Sequence, residues 1–176
     1  MNKYGKVENV LRLLGGYPSI QDTTQRMLSA INADVIEIEI PFSDPIGNSS
    51  GASSHALSAG CNVDKLFDML NSVQGQLSAA VVLVTYANPV FAYGITNFAL
   101  RCKNCGVSGV LLQDVPHEEA AEFEVEFTAS GIDIIKQLGQ CDAGRAQQII
   151  LSAKGYYIKV QAPGEGGRLQ RVLVEG

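Results

Sequence analysis

The sequence has no basic excess. Its 13 Lys and Arg stand against 18 Asp and Glu, a net charge of −5, so it carries no general electrostatic footprint for nucleic acid or an anionic membrane. A local phosphate site stays open, because backbone N–H groups bind phosphate without a basic surface. No apolar run approaches the roughly 18 residues of a spanning helix, and the opening "MNKYGKVENV" lacks the apolar core of a secretory signal. These absences lead to the expectation of a cytoplasmic protein. Charged residues are sparse at 18%, but 46% hydrophobic residues describe an ordinary globular chain and exclude disorder. No low-complexity tract marks a linker, so residues 1–176 are expected to form one domain.

Metal-binding side chains are also few, with four cysteines and two histidines. Cys61 and Cys141 stand alone. Cys102 and Cys105 form a C-x-x-C, the spacing of a redox pair or half a zinc site. No second Cys/His pair follows at ligand spacing, and His55 and His117 are isolated, so the pair is expected to be structural and no metal is expected.

What the sequence does have is a recurring alternation. Short runs rich in Val and Ile occupy 34–40 ("DVIEIEI"), 79–86 ("AAVVLVTY"), 107–115 ("VSGVLLQDV"), 132–138 ("IDIIKQL") and 156–160 ("YYIKV"), with "VLRLL" (10–14) a weaker first member. Amphipathic stretches such as "VDKLFDMLNSV" and "ITNFALRCKNC" lie between them. Near-continuous apolar strands separated by helices predict an α/β fold with a parallel sheet covered on both faces. Polar residues gather at the C-terminal strand ends, namely Glu37 and Glu39, Tyr86 with Asn88, and Asp114. Barrel and doubly wound enzymes alike place their chemistry there.

Glu37 and Glu39 lie two apart on a strand, so their side chains share a face. Like charges on one buried face repel, which favours a proton on one of them and suits it to acid–base work near neutral pH. The competing reading is that one of them meets a nearby Lys, or that the strand end is solvated. "PFSDP" (41–45) is a stiff loop bounded by two prolines. "QDVPHEE" (113–119) ends a strand with Asp114 and continues through Pro116 into an acidic first helical turn.

Together "GGYPS" (15–19), "IEIEIPFSDP", "TYANPVFAYG" and "LLQDVPHEEA" resemble the tryptophan synthase alpha subunit family, in order and spacing, from Gly15 to Gly167. The resemblance implies a TIM-type (β/α)8 barrel without a cofactor, of which about six βα units are expected here. It implies a lyase of tryptophan biosynthesis that cleaves indole-3-glycerol phosphate by a retro-aldol reaction. The products are indole and glyceraldehyde 3-phosphate, and the indole passes to a PLP-dependent beta subunit. Glu37 aligns with the family's acid–base glutamate. Tyr86 and Asn88 match positions around the substrate pocket, and Pro41, Asp44, Asp114 and Pro116 match the face that meets the beta subunit.

The match departs from the family pattern in several places. After "FSDP" the family carries a second acid that holds the indole N–H, and this chain carries Asn48. A neutral acceptor gives a hydrogen bond worth about 1 kcal/mol where a charged one gives about 1.5–3, a difference of about two- to thirtyfold in rate. Glu39 replaces a glycine on the face of Glu37, where it either crowds the substrate or supplies a relocated acid. The family's strand-six tyrosine aligns with Ile158 and its loop arginine with Ala162. Lys159, beside Ile158, aligns outward. Barrel phosphate sites are built largely by the loops after strands seven and eight. Here the glycine-rich "PGEGGR" (163–168) offers Gly164 and Gly167 as backbone donors. Two further readings follow, a catalytically impaired chain that binds a beta subunit, and another small-molecule lyase using Glu37 with Glu39.

Overall fold

The computed structural model describes residues 4, 7–46, 50–139 and 141–153, together with the backbone of two strands at 157–160 and 170–173. Five strands form one parallel sheet in the order β1 (Val10–Leu14), β2 (Val35–Glu39), β3 (Ala80–Thr85), β4 (Val107–Leu112) and β5 (Asp133–Ile134). The helices α1 (Ile20–Ser29), α2 (Ser50–Ser58), α3 (Val63–Val73), α4 (Ala87–Tyr93), α5 (Ile95–Asn104) and α6 (Ala121–Ala129) lie between them in sequence, with a 3-10 turn at His117–Glu119 before α6. Sequential neighbours pair throughout, the succession expected of βα units. Among the described residues no helix is long and apolar enough to cross a membrane.

The run read as one strand over 132–138 is divided. Asp133–Ile134 pairs with β4, whereas β6 (Gln137–Leu138) pairs in parallel with β7 (Tyr157–Val160). Helix α7 (Ala143–Ser152) connects β6 to β7, and β8 (Gln170–Leu173) returns antiparallel to β7. The sequence reading had no strand at 170–173. The sixth expected strand thus exists, but in a separate three-stranded sheet.

Local chemistry fixes the helix starts. Ser19, Asn62 and Asp142 cap α1, α3 and α7, each side-chain oxygen accepting from the backbone N–H three residues on. The β1–α1 corner needs glycine at Gly16, whose φ is +75° and where a Cβ would lie 2.5 Å from Cys61 Sγ.

The sheet has two buried faces. The outer face carries Ile36, Ile38, Leu83, Val110 and Leu112 against Met27, Leu66, Phe67, Leu70, Phe98 and Phe127 of the helices. The inner face carries a smaller apolar group, Val35, Val82, Val84, Leu111 and Ile135, joined by Tyr4 and Val7. Tyr4 donates its hydroxyl to Asp133 at 3.0 Å. Gly109 makes room for it, since a Cβ there would lie 2.6 Å from the phenol oxygen. Strand β2 is buried along its whole length, glutamates included, because side chains of both parities find a covered face.

Candidate active site

Glu37 and Glu39 follow Val35 on the inner face, at the C-terminal end of β2. Parallel pairing sets Arg12 of β1 beside Glu37. Its guanidinium reaches past that partner to Glu39, with Nη2 2.9 Å from Glu39 Oε2, while Nε stays 4.0 Å from Glu37 Oε2. The Glu37 side chain is 1% exposed, Glu39 10% and Arg12 35%, so the arginine is the most accessible member of the cluster. A cation beside these carboxylates is thus Arg12 of the adjacent strand, where the competing reading had a lysine. Sequence reading passed over Arg12. The available signal was a charged residue at the centre of the otherwise apolar "VLRLL".

Tyr86, immediately after β3, is 2% exposed and stacks on Phe42 with ring centroids 4.8 Å apart. Its hydroxyl accepts the Ile46 N–H at 2.8 Å, so the residue expected in the substrate pocket also ties down the loop after "FSDP". Burial raises the Tyr86 pKa, and the neighbouring Glu39 and Asp114 charges push the same way while Arg12 opposes them. These contributions place Tyr86 among the charges of the mouth. A second tie holds the loop, because Ser53 Oγ accepts from Phe42 N–H and donates to Phe42 C=O, both at 2.7 Å.

Asn88 lies exposed in the first turn of α4. Asp114 is exposed and accepts the Ala87 N–H at 2.8 Å, which satisfies an open donor at the start of α4. Asp44 is exposed and accepts from the Ser43 hydroxyl at 2.6 Å, Pro116 is exposed, and Pro41 is buried. Of the four residues expected on a partner face, three therefore present surface and Pro41 does not. Asn48, Gly164 and Gly167 lie outside the described residues, as do Ala162 and the side chains of Ile158 and Lys159.

A hollow of about 280 Å³ is lined by Asp114 and Pro116 together with His117, Lys136, Cys141 and Arg145. Lys136 is paired with Glu124, and Arg145 with Glu118 at 2.8 Å. Burial pulls the Lys136 ammonium below its ordinary value. The C-x-x-C thiols lie elsewhere, at the α5–β4 junction. Cys102 and Cys105 are buried, and burial raises both pKa values, Cys102 well above the ordinary range. Raised values hold the thiols protonated and argue against reactive thiolates.

A family model described as tryptophan synthase alpha chain matches residues 5–173. The tryptophan synthase alpha chain of Geobacter sulfurreducens is 36% identical over 145 residues, covering 80% of this chain and 55% of that protein. That of Alkaliphilus metalliredigens is 28% identical over 173 residues, covering 96% and 65% respectively. Among solved structures, the Legionella pneumophila alpha chain superposes with a TM-score of 0.80 at 27% identity, covering 91% of this chain and 66% of that one. The tryptophan synthase α2β2 complex of Pyrococcus furiosus matches with a TM-score of 0.76 at 30% identity, covering 81% of this chain and 61% of that one. The chain thus spans about 55–65% of the length of these curated relatives.

Proposed function

We propose a function from one premise: this chain belongs to the tryptophan synthase alpha chain family. The reading is a carbon–carbon lyase acting on indole-3-glycerol phosphate, with residues 1–176 acting as one barrel-like α/β domain in the cytoplasm. The observation that carries it is Glu37, a buried inner-face carboxylate at the C-terminal end of a parallel strand, where this architecture keeps its chemistry. In the reaction the glycerol hydroxyl loses a proton as the C–C bond breaks and becomes the aldehyde oxygen. The indole ring carbon takes a proton on its ring π electrons, which puts positive charge on the ring nitrogen, and the electron pair of the broken C–C bond restores the ring double bond. Glu37 is the acid–base residue for these transfers.

Asn48 accepts the indole N–H without supplying charge. Glu39 is the second carboxylate of the site. Tyr86 and Asn88 border the substrate, and Gly164 and Gly167 supply backbone N–H groups to its phosphate. Pro41, Asp44, Asp114 and Pro116 form the face for a beta subunit. The exposure of the last three supports that assignment.

Indole release from indole-3-glycerol phosphate, measured with and without a beta subunit, tests the reading. Turnover is expected, and Glu37→Gln should lower kcat by about a hundredfold or more. Asn48→Asp should raise it by about two- to thirtyfold, the step from a neutral to a charged acceptor. No indole under either condition, and none after Asn48→Asp, would overturn the proposal.

A further inference from the structure

We propose that Asp114 is a positioning residue that acts through Tyr86 to hold the loop after β2, the loop that runs on to Asn48. The inference rests on the reading of that loop as the carrier of the indole N–H acceptor. It gives Asp114 a task separate from any contact with a partner.

Three strand ends converge around Tyr86. The Ile40 N–H donates to Val84 C=O, the Gln113 N–H donates to Thr85 C=O, and the Ala87 N–H donates to Asp114 Oδ1, each at 2.8 Å. Consecutive residues at the end of β4 therefore hold the two residues that flank Tyr86. The first two bonds are backbone bonds, which many sequences could make. The third depends on a side chain, and a carboxylate acceptor makes it charge-assisted. Asp114 thus fixes the direction in which the chain leaves β3 on either side of the phenol.

From that anchor the Tyr86 side chain crosses to the loop. Its ring stacks on Phe42 with 28° between the planes, and its oxygen accepts the Ile46 N–H at 2.8 Å. Ser53 of α2 already fixes Phe42 through both backbone groups, so the beginning of the loop has its own tie. The Ile46 end is held by the phenol, and Ile46 stands two residues before Asn48. A tyrosine has only two side-chain torsions, and this one is 2% exposed and stacked. It cannot re-aim its hydroxyl when its backbone moves without leaving Phe42. A displacement at Ala87 is therefore delivered to Ile46, although the Asp114 carboxylate bonds α4 and not the loop.

Amide hydrogen exchange separates this relay from a general loosening. In Asp114→Ala the Ala87 amide should exchange faster because its acceptor is gone. The Ile46 amide should quicken by about two- to tenfold, the range of one hydrogen bond, while amides of α3 and β3 keep their wild-type rates. Asp114→Asn retains a side-chain oxygen for the Ala87 N–H and should restore most of the Ile46 protection. In a Tyr86→Phe background, Asp114→Ala should again quicken Ala87 but leave Ile46 unchanged, the non-additivity of residues that act in series. With indole-3-glycerol phosphate, Asp114→Ala should lower kcat by about two- to tenfold with KM within about twofold, because a displaced acceptor is felt in the transition state.

An Ile46 rate that stays at its wild-type value in Asp114→Ala would overturn the proposal. An equal Ile46 effect with and without the Tyr86 hydroxyl would do so too, since Asp114 would then act by another route. A wild-type Ile46 amide that exchanges as fast as in a free peptide would equally sink it. The exchange pattern is read without turnover. Its presence in a protein that releases no indole would overturn the lyase reading and leave the Asp114 assignment standing. If Asp114→Ala does not fold, Asp114→Ser shortens the reach toward Ala87 and should show the same pattern, and an unchanged Ile46 rate in that variant would count against the relay in the same way.

Discussion

On the helix-covered face of the β1–β5 sheet, Ile36, Ile38 and Leu83 meet Phe67, Phe98, Phe127 and Met27, all almost wholly removed from water. One residue along the same strands, Arg12, Glu37 and Glu39 share the other face with Val35, Val82 and Val84. The first face gains stability from apolar area and close aromatic contact. The second gains little net stability from its ions, because desolvation offsets most of their attraction. A face that buries two carboxylates under such terms is not accounted for by stability alone. The lesson is that damage to the two faces should be separable by measurement.

The sharpest test of that separation is Phe98→Ala. Phe98 is fully buried, with ring centroids 5.2 Å from Phe67, 5.8 Å from Tyr93 and 6.1 Å from Phe127. Its truncation should cost about 3–5 kcal/mol in urea unfolding, a large part of a typical domain's stability. The fraction that remains folded should keep the wild-type rate of indole release per folded molecule. A lower rate would show the faces to be coupled.

A smaller effect is expected at the rim, where Tyr86→Phe removes only the acceptor for the Ile46 N–H. Stability should fall by about 0.5–1.5 kcal/mol. Hydrogen exchange at Ile46 should quicken while amides of α3 and β3 stay protected, and uniform acceleration would mean that the hydroxyl supports the core.

The smallest effect is a pH dependence at His117. Burial, followed by the nearby Lys136 charge, holds its imidazole below the ordinary value of 6.5. The folded-state value is therefore the lower one, and the unfolded chain takes up more protons as pH falls. The stability tied to His117 is whole above about pH 6.5 and is lost as pH drops through the lower folded-state value. His117→Gln should flatten that acid-side decline in urea midpoints. An unchanged slope would assign the decline to other groups.

Much of this architecture is legible in the chain. "VIEIE", "AVVLVT" and "VSGVLL" read as strands because β-branched and aliphatic residues fill positions of both parities, the mark of a sheet covered twice. The 132–138 run defeats that logic. The pairing partner changes from β4 to β7 between Ile134 and Gln137, and the polar Lys136–Gln137 step there reads as part of one strand. The site divides in the same way. Shared parity places Glu37 and Glu39 together from sequence alone. Arg12 joins them only through the register of β1 against β2, a relation between segments 25 residues apart that local patterns do not encode. Asp114 was legible as a strand-end acid, but its bond to the Ala87 N–H depends on how α4 starts beside β4.

The Tyr4–Asp133 hydrogen bond joins groups 129 residues apart. During synthesis Tyr4 emerges near the start of the chain, whereas its acceptor arrives only with the fifth strand. Until then the inner face lacks the phenol that fits over Gly109, while β1, β2 and β3 already have α1 and α3 with which to begin an outer layer. The entropy of closing so long a loop grows only logarithmically with length, so the delay is set by when the partner becomes available. The parts of the helix-covered layer are therefore available before those that close the floor beneath the carboxylates.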